Sequence, residues 1–176
     1  MRTSDIFKKK TVFSLEIFPP KPDLGERVIY KALEDLSDIH PDFISVTYGQ
    51  ASGINGAKTI QIASKIINEY NTTGVAHLPC ISLTKDKARQ ILDKIKENNI
   101  ENVLALRGDI RDENAPKGDF SLASDLVTFI KENYVSELYE QEFTPNNIVG
   151  IGIRVKGNNN KIKKELPVIY SKLSNT

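Results

Sequence analysis

Glu101-Asn102-Val103-Leu104-Ala105-Leu106-Arg107-Gly108-Asp109 is an apolar run closed abruptly by a cation, a glycine and an anion. Residues 103–106 read as a short buried strand, and Arg107-Gly108-Asp109 is its lip. In α/β proteins ligands bind at the carboxyl ends of the strands. This strand end is therefore expected to hold a cofactor, with three earlier strand ends converging on it. Taken alone, Arg-Gly-Asp is as readily a surface turn, since Gly and Asp are ordinary turn formers. Its cell-adhesion reading is set aside because nothing else in the chain looks secreted.

Outward from that strand, the chain alternates. Residues 11–18 read as a first strand, closed by Pro19-Pro20, which cannot continue a ladder. A helix is expected over 23–39, with Val28, Ala32, Leu33, Leu36 and Ile39 at helical spacing. A second strand, 43–48, runs into Gly49-Gln50-Ala51-Ser52-Gly53. A helix over 57–70 carries Ile60, Ala63, Ile67 and Tyr70 on one face, and 75–81 is a third strand. Residues 84–98 make the clearest helix, with Ala88, Ile91, Leu92 and Ile95 as its stripe and Asp86 in the first turn, where a carboxylate favours the helix dipole. After the 103–106 strand comes a helix near 122–134, with Leu122, Leu126, Phe129 and Ile130 in register, then a fifth strand over 148–155. The tail, 161–173, is a helix candidate interrupted by Pro167.

Strand–helix alternation at such short spacing implies right-handed βαβ units and a parallel sheet. Residues two apart on a strand share a face. Phe13, Leu15 and Ile17 lie together, opposite Ser14, Glu16 and Phe18. Ser45 and Thr47 oppose Ile44, Val46 and Tyr48. His77 goes with Val75, and Arg107 with Val103 and Ala105. Each strand so read has one apolar face and one that turns polar towards its C-terminal end. That is the pattern of a (β/α) TIM barrel, helices outside and polar ends at the mouth. The expected fold is α/β, a single partial barrel domain over 1–176 with about five parallel strands, divergent after about residue 140.

Composition narrows the function. A chain of 176 residues suits one domain, and its net charge of +1 offers no electrostatic case for nucleic acid or an anionic membrane. The basic runs at 8–10 and 161–164 are short and read as solvated faces. One cysteine, Cys80, excludes an internal disulfide framework and suits a reducing cytoplasm. The polar N-terminus shows neither a signal peptide nor a membrane span. Histidine and cysteine spacing supports no metal site, and there is no G-x-G-x-x-G or P-loop. The glycines at 49 and 53 are a weak phosphate signal.

Two side chains are left with two readings each. Glu16, between Leu15 and Ile17 at a strand end, is expected to be partly desolvated, which raises a carboxyl pKa and suits proton donation. An exposed or salt-bridged edge carboxylate is the alternative. His77, one of two histidines beside His40 in a turn, is either a tunable catalytic group or a hydrogen-bonded structural residue. Cys80 reads as a small buried hydrophobe.

Together these stretches form a recognisable series. Ser14-Leu15-Glu16-Ile17-Phe18-Pro19-Pro20-Lys21, Ser45-Val46-Thr47-Tyr48-Gly49, His77-Leu78-Pro79-Cys80, Ala105-Leu106-Arg107-Gly108-Asp109 and Ala123-Ser124-Asp125-Leu126-Val127 stand in order between residues 11 and 134. The series resembles the methylenetetrahydrofolate reductases, flavin-containing (β/α)8 barrels that reduce 5,10-methylenetetrahydrofolate to 5-methyltetrahydrofolate with NADH or NADPH. The resemblance implies FAD as cofactor and a folate as substrate. It implies that Glu16 protonates the folate and opens its methylene bridge to an iminium. Asp109 would lie beside flavin and pterin, as a second catalytic residue and a cofactor contact. Arg107 and Gly108 would contact flavin; Thr47, Tyr48, His77 and Ala123 would line its site, with Thr47 close to the nicotinamide. The implied order is ping-pong, reduced nicotinamide leaving before folate enters.

The departures define a second reading. Gln50 stands where the family usually has alanine. The run Ile148-Val149-Gly150-Ile151-Gly152-Ile153-Arg154-Val155-Lys156-Gly157 has none of the family's Tyr-Pro-Glu and histidine residues, and no later strands follow. A full barrel takes about 250 residues. Two expectations stand: an active reductase whose remaining wall comes from a second copy or subunit, or a divergent non-catalytic flavin- or folate-binding relative or accessory subunit. No dinucleotide fingerprint separates NADH from NADPH.

Overall fold

A computed structural model describes residues 1–20, 27–48, 56–109 and 118–134. The elements run α1 (Thr3–Phe7), β1 (Ser14–Ile17), α2 (Arg27–Asp35), a 3-10 turn (Ser37–Ile39), β2 (Phe43–Val46), α3 (Ala57–Asn68), β3 (Thr73–Pro79), α4 (Lys85–Glu97), β4 (Asn102–Leu106) and α5 (Ala123–Tyr134). The four strands form one parallel sheet in the order β1-β2-β3-β4. That order decides between barrel and open sheet. A doubly wound sheet reverses its strand order at a switch point. Right-handed crossovers in unbroken sequence keep every helix on one side. The chain is an open arc of a TIM-type (β/α) barrel. The fifth strand expected over 148–155, the helix over 161–173 and the loop 49–53 lie outside the described residues.

The core sits on the helix side. Leu15, Ile44, Val46, Ala76 and Leu78 from the strands, with Cys80 just past β3, pack with Leu33, Ile60, Ala63, Ile66, Ile91, Leu92, Ile95, Leu126 and Phe129 from the helices. The pairing rows on the other face include Glu16–Ser45–Val75–Asn102 and His77–Leu104. In a closed barrel this second face is the interior.

α4 forms as its sequence requires. Thr84 accepts a hydrogen bond from the Lys87 N–H as N-cap, and Ala88, Ile91, Leu92 and Ile95 are all buried. Asn99 follows the helix at φ 57, and the amides of Asn99 and Ile100 return to the carbonyls of Lys96 and Ile95, a Schellman ending with Asn in the left-handed position. His40 and Asn71 take the same left-handed conformation just before β2 and β3.

Several expectations need correction. The helix expected over 23–39 is α-helical over Arg27–Asp35 among the described residues, with a separate 3-10 turn at Ser37–Ile39, and its stripe is shifted. Val28, Ala32 and Ile39 are exposed, while Ile29, Tyr30 and Leu36 join Leu33 against the core. Leu122 is also exposed, because it precedes α5 instead of riding on it. The strand over 103–106 is not wholly buried: Leu104 is 46 % exposed on the interior face, and Asn102 is the buried residue there. Val103 and Ala105 pack on the helix side, so the face they share with Arg107 is not the one bearing Glu16 and His77.

α1 has no counterpart in the sequence reading. It lies across the N-terminal ends of the strands: the Thr3 N–H donates to Asn102 Oδ1, Asn102 Nδ2 donates to the Met1 carbonyl, and the Met1 ammonium pairs with Glu101. Phe7 meets Phe43 edge to face, ring centres 6.0 Å apart. Five polar-flanked residues are too short for a periodicity signal, and buried Asn102 supplies the reason they fold here.

Candidate active site

Glu16 is the penultimate residue of β1 and His77 lies on β3, both on the interior face. Ser45 lies between them on β2, paired to Glu16 on one side and Val75 on the other. Leu15 and Ile17 turn to the core, so they do not desolvate Glu16: its side chain is 43 % exposed, whereas that of His77 is 9 % exposed. His77 Nε2 stands 3.6 Å from Glu16 Oε2 and is buried with no hydrogen-bond partner among the described residues. Burial holds the His77 imidazole below its ordinary pKa, and the Glu16 charge opposes that only in part.

The neighbouring residues divide by direction. The Thr47 N–H continues the ladder to the Ile17 carbonyl, and its own carbonyl accepts from Thr59 Oγ1 at 2.9 Å; alternation puts its side chain on the interior face with Ser45. Tyr48 turns the other way. Its ring packs over Gly56, where any Cβ would overlap it, and burial pushes the phenol pKa up.

At the lip of β4, Arg107 is exposed and its Nε donates to the Ser121 carbonyl at 3.3 Å, towards α5. Gly108 adopts φ 79, with Pro79 Cβ 2.9 Å from where a Cβ would stand. Asp109 follows, exposed. Ala123 opens α5, whose start is tied twice: Asp125 Oδ2 accepts from the amides of Ser121 and Leu122, both at 2.9 Å. Cys80, read only as a small buried hydrophobe, is fully buried and also donates its thiol to the Leu122 carbonyl at 3.4 Å.

The structure thus brings Glu16, Thr47 and His77 to one face, sets Gly108 and Asp109 at the adjoining strand end, and turns Tyr48 and Arg107 to the helix side. The ties through Ser121, Asp125 and Cys80 escaped the sequence reading, since they join residues 14 to 42 positions apart or act at a helix start that periodicity does not locate. A separate cleft of about 600 Å³, lined by Ile6, Leu33, His40, Asp42 and Tyr70 among others, opens at the opposite end of the strands. That end of a barrel serves stability and not chemistry.

A family model for methylenetetrahydrofolate reductase matches residues 2–140. A methylenetetrahydrofolate reductase (NADH) 1 of Arabidopsis thaliana is 36 % identical over 129 residues, covering 71 % of this chain and 22 % of its own length. The 5,10-methylenetetrahydrofolate reductase of Escherichia coli K12 is 37 % identical over 122 residues, 68 % of this chain and 39 % of its own. Methylenetetrahydrofolate reductase 1 of Schizosaccharomyces pombe is 29 % identical over 158 residues, 84 % of this chain and 26 % of its own. The matched stretch spans well under half the length of these relatives. With the arc of barrel and the motif order already in place, the match over residues 2–140 shows that the chain belongs to the methylenetetrahydrofolate reductase family.

Proposed function

We propose that this chain forms the wall of a flavin-dependent site that reduces 5,10-methylenetetrahydrofolate to 5-methyltetrahydrofolate, with NADH or NADPH as electron donor. The observation that carries the reading is the Glu16–His77 pair on the interior face, beside the Arg107-Gly108-Asp109 lip, in a chain of this family.

The residues present fit FAD. The buried His77 ring and the Thr47 side chain face the interior, and Gly108 brings bare backbone to the strand end, where a Cβ would meet Pro79. His77, Thr47, Gly108, Asp109 and Ala123 would hold it directly; Tyr48, packed over Gly56, and Arg107, tied to the Ser121 carbonyl, would act from the helix side. FAD, when bound, supplies the hydride relay between nicotinamide and folate. The protein's part is binding, orientation and one proton. Glu16, solvent-facing on the interior side, delivers that proton to the folate nitrogen and is left as a carboxylate, while exposed Asp109 positions the pterin. Closing the interior around folate needs strands beyond the four described, from this polypeptide or a second subunit. The free Cys80 is consistent with a cytoplasmic setting, and no helix among the described residues is long and apolar enough to cross a membrane.

The test is a visible spectrum of the chain after incubation with FAD and gel filtration. A retained flavin band that bleaches with NADH or NADPH is expected; folded protein that retains none overturns the reading in favour of a non-catalytic relative. Glu16→Gln is expected to leave flavin reduction by NAD(P)H intact and to abolish folate reduction. Equal loss of both half-reactions would contradict the role given to Glu16.

A further inference from the structure

His77 has little company on the interior face. β2 presents Ser45 and Thr47 there, and β4 presents Leu104, its direct register partner. From β1 comes Glu16, the one titratable group among the described residues whose charge acts on the ring. A buried nitrogen without a partner is costly, and Nε2 sits just beyond hydrogen-bond range of the part-exposed Glu16 carboxyl.

We propose that His77 is a positioning residue for Glu16, its Nε2 and the Glu16 carboxyl holding one proton between them both before and after Glu16 has given its own proton away. The proposal deepens the reductase reading and rests on it for the identity of the reaction, though not for the pairing.

A neutral imidazole has two tautomers, one with Nε2 bare and one with Nε2 protonated. When Glu16 is protonated, bare Nε2 accepts its O–H. Once that proton has passed to the folate nitrogen, the other tautomer donates Nε2–H to the carboxylate, with solvent carrying the exchange between the ring nitrogens. The carboxyl is oriented in both states, and Nε2 is satisfied in both. The burial of His77 matters here, because it keeps the ring neutral. An imidazolium has no bare nitrogen and could not accept the Glu16 O–H.

The chain has two histidines, and His40 is exposed, so an NMR titration of the imidazoles in the full chain carries its own control. Neither flavin nor folate is needed. His77 is expected to titrate below the ordinary imidazole range. In Glu16→Gln it is expected to move lower still, because the opposing charge is gone. An unmoved His77 overturns the proposal. A second reading uses the unaltered chain: at pH 8 the ring nitrogen shifts are expected to report the Nε2–H tautomer, donating to the carboxylate, and a predominant Nδ1–H tautomer overturns it. A chain that fails to retain FAD while showing the coupled titration would count against the reductase reading and support the pairing.

Discussion

Gly108 is constrained twice over. Its φ of 79 lies in the left-handed region, which costs an L-residue about 1–2 kcal/mol, and a Cβ would press on Pro79 at 2.9 Å. Gly108→Ala is expected to lower stability by about 2 kcal/mol, read as a lower urea midpoint at unchanged m; an unchanged midpoint would contradict the geometry. His77 gives a pH dependence of definite sign. Burial lowers its pKa in the folded state, so the unfolded chain takes up the proton first as pH falls through about 6.5. Its stabilisation is complete above that value and is lost as pH falls towards the folded value. Thermal melts at pH 8 and 5.5 should show a larger drop for the wild type than for His77→Gln. Asp42 and Glu101, held low by Lys10 and by the Met1 ammonium respectively, lose their contributions only in a more acidic window, below their ordinary values of 3.8 and 4.5.

Among the elements, α4 separates local from tertiary energetics. Its cap is an exposed Thr84 donating nothing to the core, and its stripe is sealed against the sheet. Thr84→Ala should cost about 1 kcal/mol, while Ile91→Ala, deleting a side chain that is 1 % exposed, should cost about 2–5 kcal/mol. Equal effects in denaturant unfolding would mean that packing does not hold this helix. α4 was legible because cap, stripe and left-handed Asn99 all agree. α2 was not, because a 3-10 turn follows Asp35 and breaks the phase that would have carried Ile39 to the core. Alternation, likewise, told which residues of a strand share a face but not which face meets the helices; β4 shows this in Leu104, apolar yet exposed.

At the scale of the molecule, one helix layer packs on one side of a sheet whose strands follow in sequence. The separation between layers depends on small residues. A Cβ on Gly74 of β3 would stand 2.7 Å from the Ala63 carbonyl and close to Ile67, both on α3. Gly74→Ala is expected to cost about 1–3 kcal/mol through overpacking, with the far-UV circular dichroism unchanged and the loss visible as a lowered melting temperature. A neutral outcome would mean that α3 moves freely on the sheet.

The sequence by itself determined the strand–helix alternation, the burial stripe of α4, the family and the motif order, because each rests on local spacing that survives without knowledge of neighbours. Tertiary structure alone decided which sheet face is the interior, and therefore that Glu16 and His77 meet while Tyr48 and Arg107 turn away. It also decided that Glu16 stays exposed despite apolar neighbours in sequence, and that α1 closes the N-terminal end through Asn102. Those outcomes depend on register and on contacts between residues 60 to 100 positions apart, and pairing of that range leaves no periodic trace in the chain.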